Sequence, residues 1–224
     1  MQVFRKKLAV ILAALSFYFS LNSASAQDFQ KWEEAILKFE KADQHRPVKK
    51  GEYIVFTGSS SIVGWQNLGA DFPDKKVLNR AFGGSQTFEV LHFANRIITP
   101  YKPKQVVIYS GDNDIAAGKS PETVFSDFKA LFNKIRREGG RTVVTFISIK
   151  PSPSRKQFMP KIVEANMLVK EFLKTKNRTS YVDMYTSMLL PNGNPKPELF
   201  KADSLHMVQA GYDLWRKTLK PYLK

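Results

Sequence analysis

The chain reads as an α/β protein, a three-layer α/β/α sandwich around a five-stranded parallel sheet. Three observations predict it. Five short apolar runs alternate with longer segments of helical periodicity. The runs are continuously apolar, as in Gln105-Val106-Val107-Ile108-Tyr109, so both faces of each strand are expected to be covered. Parallel neighbours need long crossover connections, and the helical segments supply them.

Phe29, Trp32, Ile36 and Phe39 recur at spacings of three and four, which predicts an amphipathic helix over 28–45. Gly51 ends the linker that follows, and Tyr53-Ile54-Val55-Phe56 is the first strand, stopped by Gly58. Lys76-Val77-Leu78-Asn79 is the second. Residues 87–98 are helical until Pro100 and Pro103 stop them. Gln105–Tyr109 is the third strand. Ser120-Pro121 has the form of a helix cap followed by a first-turn proline, and the helix carries Val124, Phe128, Leu131 and Ile135 to Gly139-Gly140. Thr142–Ile147 is the fourth strand, 157–175 the next helix and Tyr181-Val182 a short fifth strand. The last helix begins near Gln209 with Tyr212, Trp215 and Leu219 on one stripe. No repeat, low-complexity tract or second domain interrupts this order.

Residues 1–26 do not belong to that pattern. Arg5, Lys6 and Lys7 precede the charge-free stretch Leu8–Leu21, and Ala24-Ser25-Ala26 offers small residues for cleavage before Gln27. This is the three-part form of a secretory signal peptide. The expected organisation is therefore a signal peptide over 1–26 and a single domain over 27–224, exported to the periplasm or the medium, with no stable membrane insertion after cleavage.

The chain has no cysteine, so thiolate zinc sites and disulfides are both excluded, and a domain of this length can rest on its apolar core alone. The formal charge is +15, and the leader removes three of those charges. The basic residues are scattered, without the aromatic-interleaved strip of a nucleic-acid binder, so no nucleic-acid partner is expected.

In parallel sheets, functional groups gather at the carboxyl ends of the strands. Four short motifs fall there. Gly58-Ser59-Ser60-Ser61 follows strand one and offers a nucleophile beside helix N–H donors. Gly83-Gly84 follows strand two and could present a backbone N–H to an oxyanion. Gly111-Asp112-Asn113-Asp114 follows strand three, and the Asn113 amide carries two donors. Asp203-Ser204-Leu205-His206 precedes the last helix and supplies a base with a carboxylate to fix its tautomer. Each alone is also an ordinary cap or turn sequence. Together they make up the parts for breaking an ester through an acyl-enzyme. His45 ends the first helix and His92 sits in an apolar one, which leaves His206 as the base.

On these residues the chain resembles the GDSL/SGNH hydrolases, and within them the secreted bacterial lipases and esterases of the platelet-activating-factor acetylhydrolase-like branch. Phe56-Thr57-Gly58-Ser59-Ser60 stands where the family carries Phe-x-Gly-Asp-Ser, so the resemblance makes Ser60 the nucleophile. Gly84 falls on the second-block glycine and Asn113 on the Gly-x-Asn-Asp block. Asp203 and His206 fall on Asp-x-x-His, followed by the family-like Gly211-Tyr212. Ser59 departs from the usual Asp, which is not a member of the triad. Ile149-Lys150-Pro151-Ser152-Pro153-Ser154-Arg155 resembles the less regular fourth block.

The resemblance implies a flavodoxin-like SGNH fold and a metal-independent serine esterase with no cofactor. Ser60, Asp203 and His206 would form the triad, and the Ser60 and Gly84 N–H groups with the Asn113 amide the oxyanion hole. Trp65, Phe82 and the 150–160 loop would line the leaving-group side of the substrate. The expected substrate is a small ester or acylated glycan, an acetyl ester of a carbohydrate first. A lysophospholipid or other lipid ester, and a non-catalytic glycan-binding protein on the same fold, are the alternatives.

Overall fold

A computed structural model describes residues 29–224, so the leader expected over 1–26 lies outside the described residues. Those from Glu34 onward form one compact unit. Five strands build the sheet: β1 (Ile54–Gly58), β2 (Val77–Asn79), β3 (Gln105–Tyr109), β4 (Val143–Ile147) and β5 (Thr179–Val182). Their order is β2-β1-β3-β4-β5, and every neighbouring pair is parallel. All five residues of β1, β3 and β4 are buried, as continuous apolar runs require.

The helices are α1 (Gln30–His45), α2 (Ser60–Val63), α3 (Leu68–Asp71), α4 (Thr87–Ile97), α5 (Asp112–Ala116), α6 (Pro121–Glu138), α7 (Met159–Lys174), α8 (Met184–Ser187) and α9 (Gln209–Leu219). Local chemistry fixes the starts of α4 and α6. Ser120 Oγ accepts from the Thr123 N–H at 3.2 Å, and Pro121 occupies the first turn of α6. Gln86 and Glu89 form a capping box on α4.

The sequence reading differs from this structure at several edges. The segment expected as one helix over 157–175 divides into a 3₁₀ turn, Pro153–Phe158, and α7, because Pro160 fits only the first turn of an α-helix. Strand five opens earlier than Tyr181, with Thr179 paired to Val144. The one-turn helices α2, α3, α5 and α8 carry too few residues for periodicity to show them.

Alternating strand residues face two layers. Ile54, Phe56, Val107, Tyr109 and Ile147 join one buried cluster with Trp65, Phe72, Trp215 and Leu219. Trp65 lies at the centre of its aromatic contacts, 5.6 Å from Phe72 and Tyr212 and 6.0 Å from Trp215 between ring centroids. On the other face Phe128 of α6 meets Phe146 of β4 at 5.0 Å, and Phe172 of α7 packs beside it at 6.3 Å. Trp65 and Phe82 are each 2% exposed, so neither lines a substrate surface; both belong to the core. Indole and phenyl rings gain most by full burial, and here the layers have room for them.

The chain runs outward from β1 to β2 on one side and from β3 to β5 on the other. The turn after β1 and the turn after β3 therefore lie side by side at the switch point of the sheet, where Gly58 is in register with Tyr109.

Candidate active site

Ser60 opens α2 immediately after β1. The turn needs a glycine: Gly58 has φ +121°. Its carbonyl accepts from the Phe82 N–H at 3.1 Å and from Ser85 Oγ at 2.9 Å, which ties the Gly83-Gly84 loop to the serine turn. Of the three consecutive serines, Ser59 and Ser61 are buried at 2% and 3% exposure, and only Ser60 reaches the surface.

His206 Nε2 lies 3.1 Å from Ser60 Oγ. Its Nδ1 lies 2.7 Å from Asp203 Oδ2. The other Asp203 oxygen accepts from the backbone N–H groups of Leu205 and His206, each at 2.9 Å. The loop closes on itself through Lys201 N–H to the His206 carbonyl at 2.7 Å and Ser204 N–H to the Lys201 carbonyl at 2.8 Å. Ser204 takes φ +57° at its tip. The His206 hydrogen bond, with the Leu205 and His206 amides behind it, holds the Asp203 carboxyl well below the usual carboxylate range. An ionised Asp203 suits the Nδ1–H tautomer of His206, the one that would turn the Nε2 lone pair towards Ser60. Helix α9 locks this loop against α2: Gly211 packs on Met207 and the Leu199 carbonyl, and Tyr212 Oη donates to the Ser61 carbonyl at 3.1 Å.

Gly84 is exposed with φ +77°. Among the described residues neither the Ser60 N–H nor the Gly84 N–H has a protein acceptor. Asn113 lies in the first turn of α5, after Gly111 at φ +112°. A β-carbon on Gly111 would fall 2.6 Å from Ile149 Cδ1, so β3 and the segment after β4 approach closely only with glycine there. Asn113 Nδ2 donates to the Ser85 carbonyl at 3.0 Å, joining the second and third motifs.

Three charged residues to which the sequence reading gave no individual role lie beside Asn113, one in the third motif and two in the 150–160 loop. Asp112, Lys150 and Arg155 have side chains 6%, 1% and 15% exposed. Arg155 Nη1 is 2.6 Å and Lys150 Nζ 3.4 Å from the Asp112 carboxylate. Burial pushes the Asp112 carboxyl up, but Lys150 and Arg155 outweigh it and hold it below its ordinary value. Burial pulls Lys150 down. The sequence signal was the lysine of Ser148-Ile149-Lys150, three residues past the carboxyl end of β4.

The structure thus gathers Ser60, Gly84, Asn113, Asp203 and His206 at one end of the sheet and leaves Trp65 and Phe82 in the interior. The description of the GDSL-like lipase/acylhydrolase family matches residues 50–214. Esterase TesA of Pseudomonas aeruginosa is 24% identical over 176 residues, covering 74% of this chain and 83% of its own. A GDSL-like lipase from Bacteroides thetaiotaomicron superimposes with a TM-score of 0.72 at 22% identity, over 87% of this chain and 96% of that one. A lipase/acylhydrolase from Enterococcus faecalis gives 0.63 at 24% identity, over 77% and 97%. The two structures share the α/β fold, and the family description spans all four motifs from Gly58 to His206, so this chain belongs to the GDSL-like lipase/acylhydrolase family.

Proposed function

We propose that the protein is an exported serine esterase that cleaves short-acyl esters, first an acetyl ester of a carbohydrate. The observation that carries this reading is the continuous chain of contacts from Ser60 Oγ through His206 to Asp203, 3.1 and 2.7 Å long.

Ser60 Oγ adds to the ester carbonyl carbon while its proton passes to His206 Nε2. Asp203 stabilises the imidazolium. The carbonyl oxygen becomes an oxyanion and takes hydrogen bonds from the Ser60 N–H, the Gly84 N–H and Asn113 Nδ2. The carbon–oxygen bond to the leaving alcohol breaks, and His206 Nε2–H protonates that alcohol. A water then adds to the acyl-Ser60 carbonyl, giving its proton to His206, and collapse returns the proton to Ser60 Oγ and releases the acid. The scheme needs neither a metal nor an organic cofactor.

A polar substrate is favoured by the rim. Gly83 and Gly84 are exposed backbone, and the half-buried Asn113 offers an amide N–H, so the site presents hydrogen-bonding groups rather than hydrocarbon. A lipid ester is the second reading, supported by the relatives described as lipases. The Ser60–His206–Asp203 geometry disfavours a purely binding role, which has no use for a base 3.1 Å from a serine hydroxyl.

The test is hydrolysis of p-nitrophenyl esters of increasing acyl length, followed by acetate release from acetylated polysaccharides, with Ser60→Ala as control. Turnover that peaks at acetyl and vanishes in the control supports the proposal. A maximum at long acyl chains would move it to lipid esters, and no turnover of any ester would overturn it.

A further inference from the structure

We infer that Arg155 is a positioning residue for the oxyanion donor, clamping the Asn113 amide so that one N–H faces the substrate carbonyl; this rests on the esterase reading above. The amide of Asn113 has two N–H donors and one carbonyl oxygen. Arg155 Nη2 donates to Asn113 Oδ1 at 3.0 Å. Asn113 Nδ2 donates to the Ser85 carbonyl at 3.0 Å. These two bonds fix the plane of the amide and exclude the flipped orientation, which would set Asn113 Oδ1 against the Ser85 carbonyl oxygen. One N–H remains for a ligand. The guanidinium also draws electron density from the amide oxygen, which strengthens that remaining donor.

Arg155 is itself held. Its Nη1 lies 2.6 Å from Asp112, which also faces Lys150 at 3.4 Å. Tyr109 Oη donates to the same carboxylate at 3.4 Å. Burying three charged side chains is costly unless each is paired, and a well-packed apolar trio of similar volume would serve stability as well. What apolar residues could not provide is a fork that reaches Asp112 with one nitrogen and Asn113 with the other. The neighbouring residue extends the clamp. The Ser154 N–H and Oγ both donate to the Ser204 carbonyl, at 3.1 and 3.0 Å, inside the loop that carries Asp203 and His206. The turn Pro153–Phe158 therefore links the oxyanion donor to the base.

Two substitutions test the clamp. Arg155→Gln removes the charge; Arg155→Lys keeps a cation for Asp112 but loses the fork. Steady-state kinetics on a p-nitrophenyl ester should show kcat reduced about 10- to 100-fold in both, with KM little changed, a fraction of the ~10²–10³ that one oxyanion donor supplies. In an Asn113→Ala background the Arg155 substitutions should cost nothing further, because the group they position is gone. Side-chain amide signals of Asn113 in ¹⁵N spectra, assigned by Asn113→Ala, should be ordered in the parent and mobile in Arg155→Lys. Losses that simply add in the double variant, or an Asn113 amide equally ordered in Arg155→Lys, overturn the inference. If Ser60→Ala still turned over ester, the esterase reading itself would fall, and the amide signals would still decide whether Arg155 holds Asn113.

Discussion

Gly58 and Tyr109 approach so closely that a β-carbon on Gly58 would fall 1.8 Å from the Tyr109 carbonyl oxygen. This contact lies at the carboxyl ends of β1 and β3, where the serine turn and the Asn113 turn meet. The neighbouring Ser59 N–H donates to the same carbonyl at 3.1 Å. Gly58→Ala must therefore separate two central strands and also place a side chain at φ +121°. We expect a loss of at least about 4 kcal/mol, in the range reserved for severe lesions. Urea unfolding followed by circular dichroism checks it, and a variant within 1 kcal/mol of the parent would show that the strands can part cheaply.

Labelling with a fluorophosphonate followed by peptide mapping should place the adduct on Ser60. Ser59 and Ser61 are buried, and of the three serines Ser60 is the one whose Oγ lies within reach of His206 Nε2, at 3.1 Å. Ser60→Ala should abolish turnover, whereas Ser61→Ala should retain much of it. An adduct on either neighbour would displace Ser60 from the mechanism.

Trp65→Ala separates the aromatic that packs from the aromatic that binds. The indole is 2% exposed among Phe56, Phe72, Tyr212 and Trp215, and Trp65 Nε1 donates to Asp71 Oδ2 at 2.6 Å. Its removal should cost about 3–5 kcal/mol of stability. Below the lowered melting temperature KM should stay near that of the parent. A large rise in KM with unchanged stability would return Trp65 to the substrate surface.

What the sequence could and could not show follows from range. Five apolar runs make the parallel sheet legible, and the rule that functional groups collect at strand ends assigns Ser60, Gly84, Asn113 and His206 to one end of it. The expectation that Trp65 and Phe82 face substrate rests on the same reasoning, and their burial in the core contradicts it. Nearness in sequence to a motif indicates nearness to the site but not which layer a side chain enters. The 150–160 loop is expected near the substrate, but the contact of Arg155 with Asn113 is not legible, because it depends on how the turn after β4 folds over α5 and joins residues 42 apart with no periodic trace. Asp112 was read as part of a turn motif, and only burial beside Lys150 distinguishes it from a solvated aspartate.

The buried trio predicts a pH effect. The Asp112 carboxyl is held below its ordinary value, so its stabilising contribution is fully present above about 3.9, the usual value for an unfolded aspartate, and is lost as pH falls through the lower folded value. Asp112→Asn leaves Lys150, 1% exposed, without its carboxylate. At pH 7 the variant should be less stable by about 3–5 kcal/mol. The gap to the parent should narrow below pH 4. Denaturant unfolding of both proteins at pH 7 and pH 3 checks the sign, and a gap that widens in acid would contradict it.

Asp203→Asn tests whether the carboxylate sets the imidazole tautomer or merely closes the loop. Asparagine can keep the loop: its side-chain oxygen accepts from the Leu205 and His206 amides as Asp203 Oδ1 does now, at 2.9 Å. Its NH₂ then faces His206 Nδ1 in place of Oδ2, which now lies 2.7 Å away. A donor there requires Nδ1 to accept, so the proton moves to Nε2. That nitrogen then points an N–H at Ser60 Oγ and can no longer take its proton. Near neutral pH kcat should fall about 10⁴-fold, the scale of a base held in the wrong tautomer, while the melting temperature changes little. Asp203→Ala, which loses the loop contacts as well, should fall by a similar factor and melt lower. Imidazole ¹⁵N shifts of His206 read the tautomer directly. An Asp203→Asn enzyme with the proton still on Nδ1 and near-parental kcat would leave the carboxylate a loop cap and nothing more.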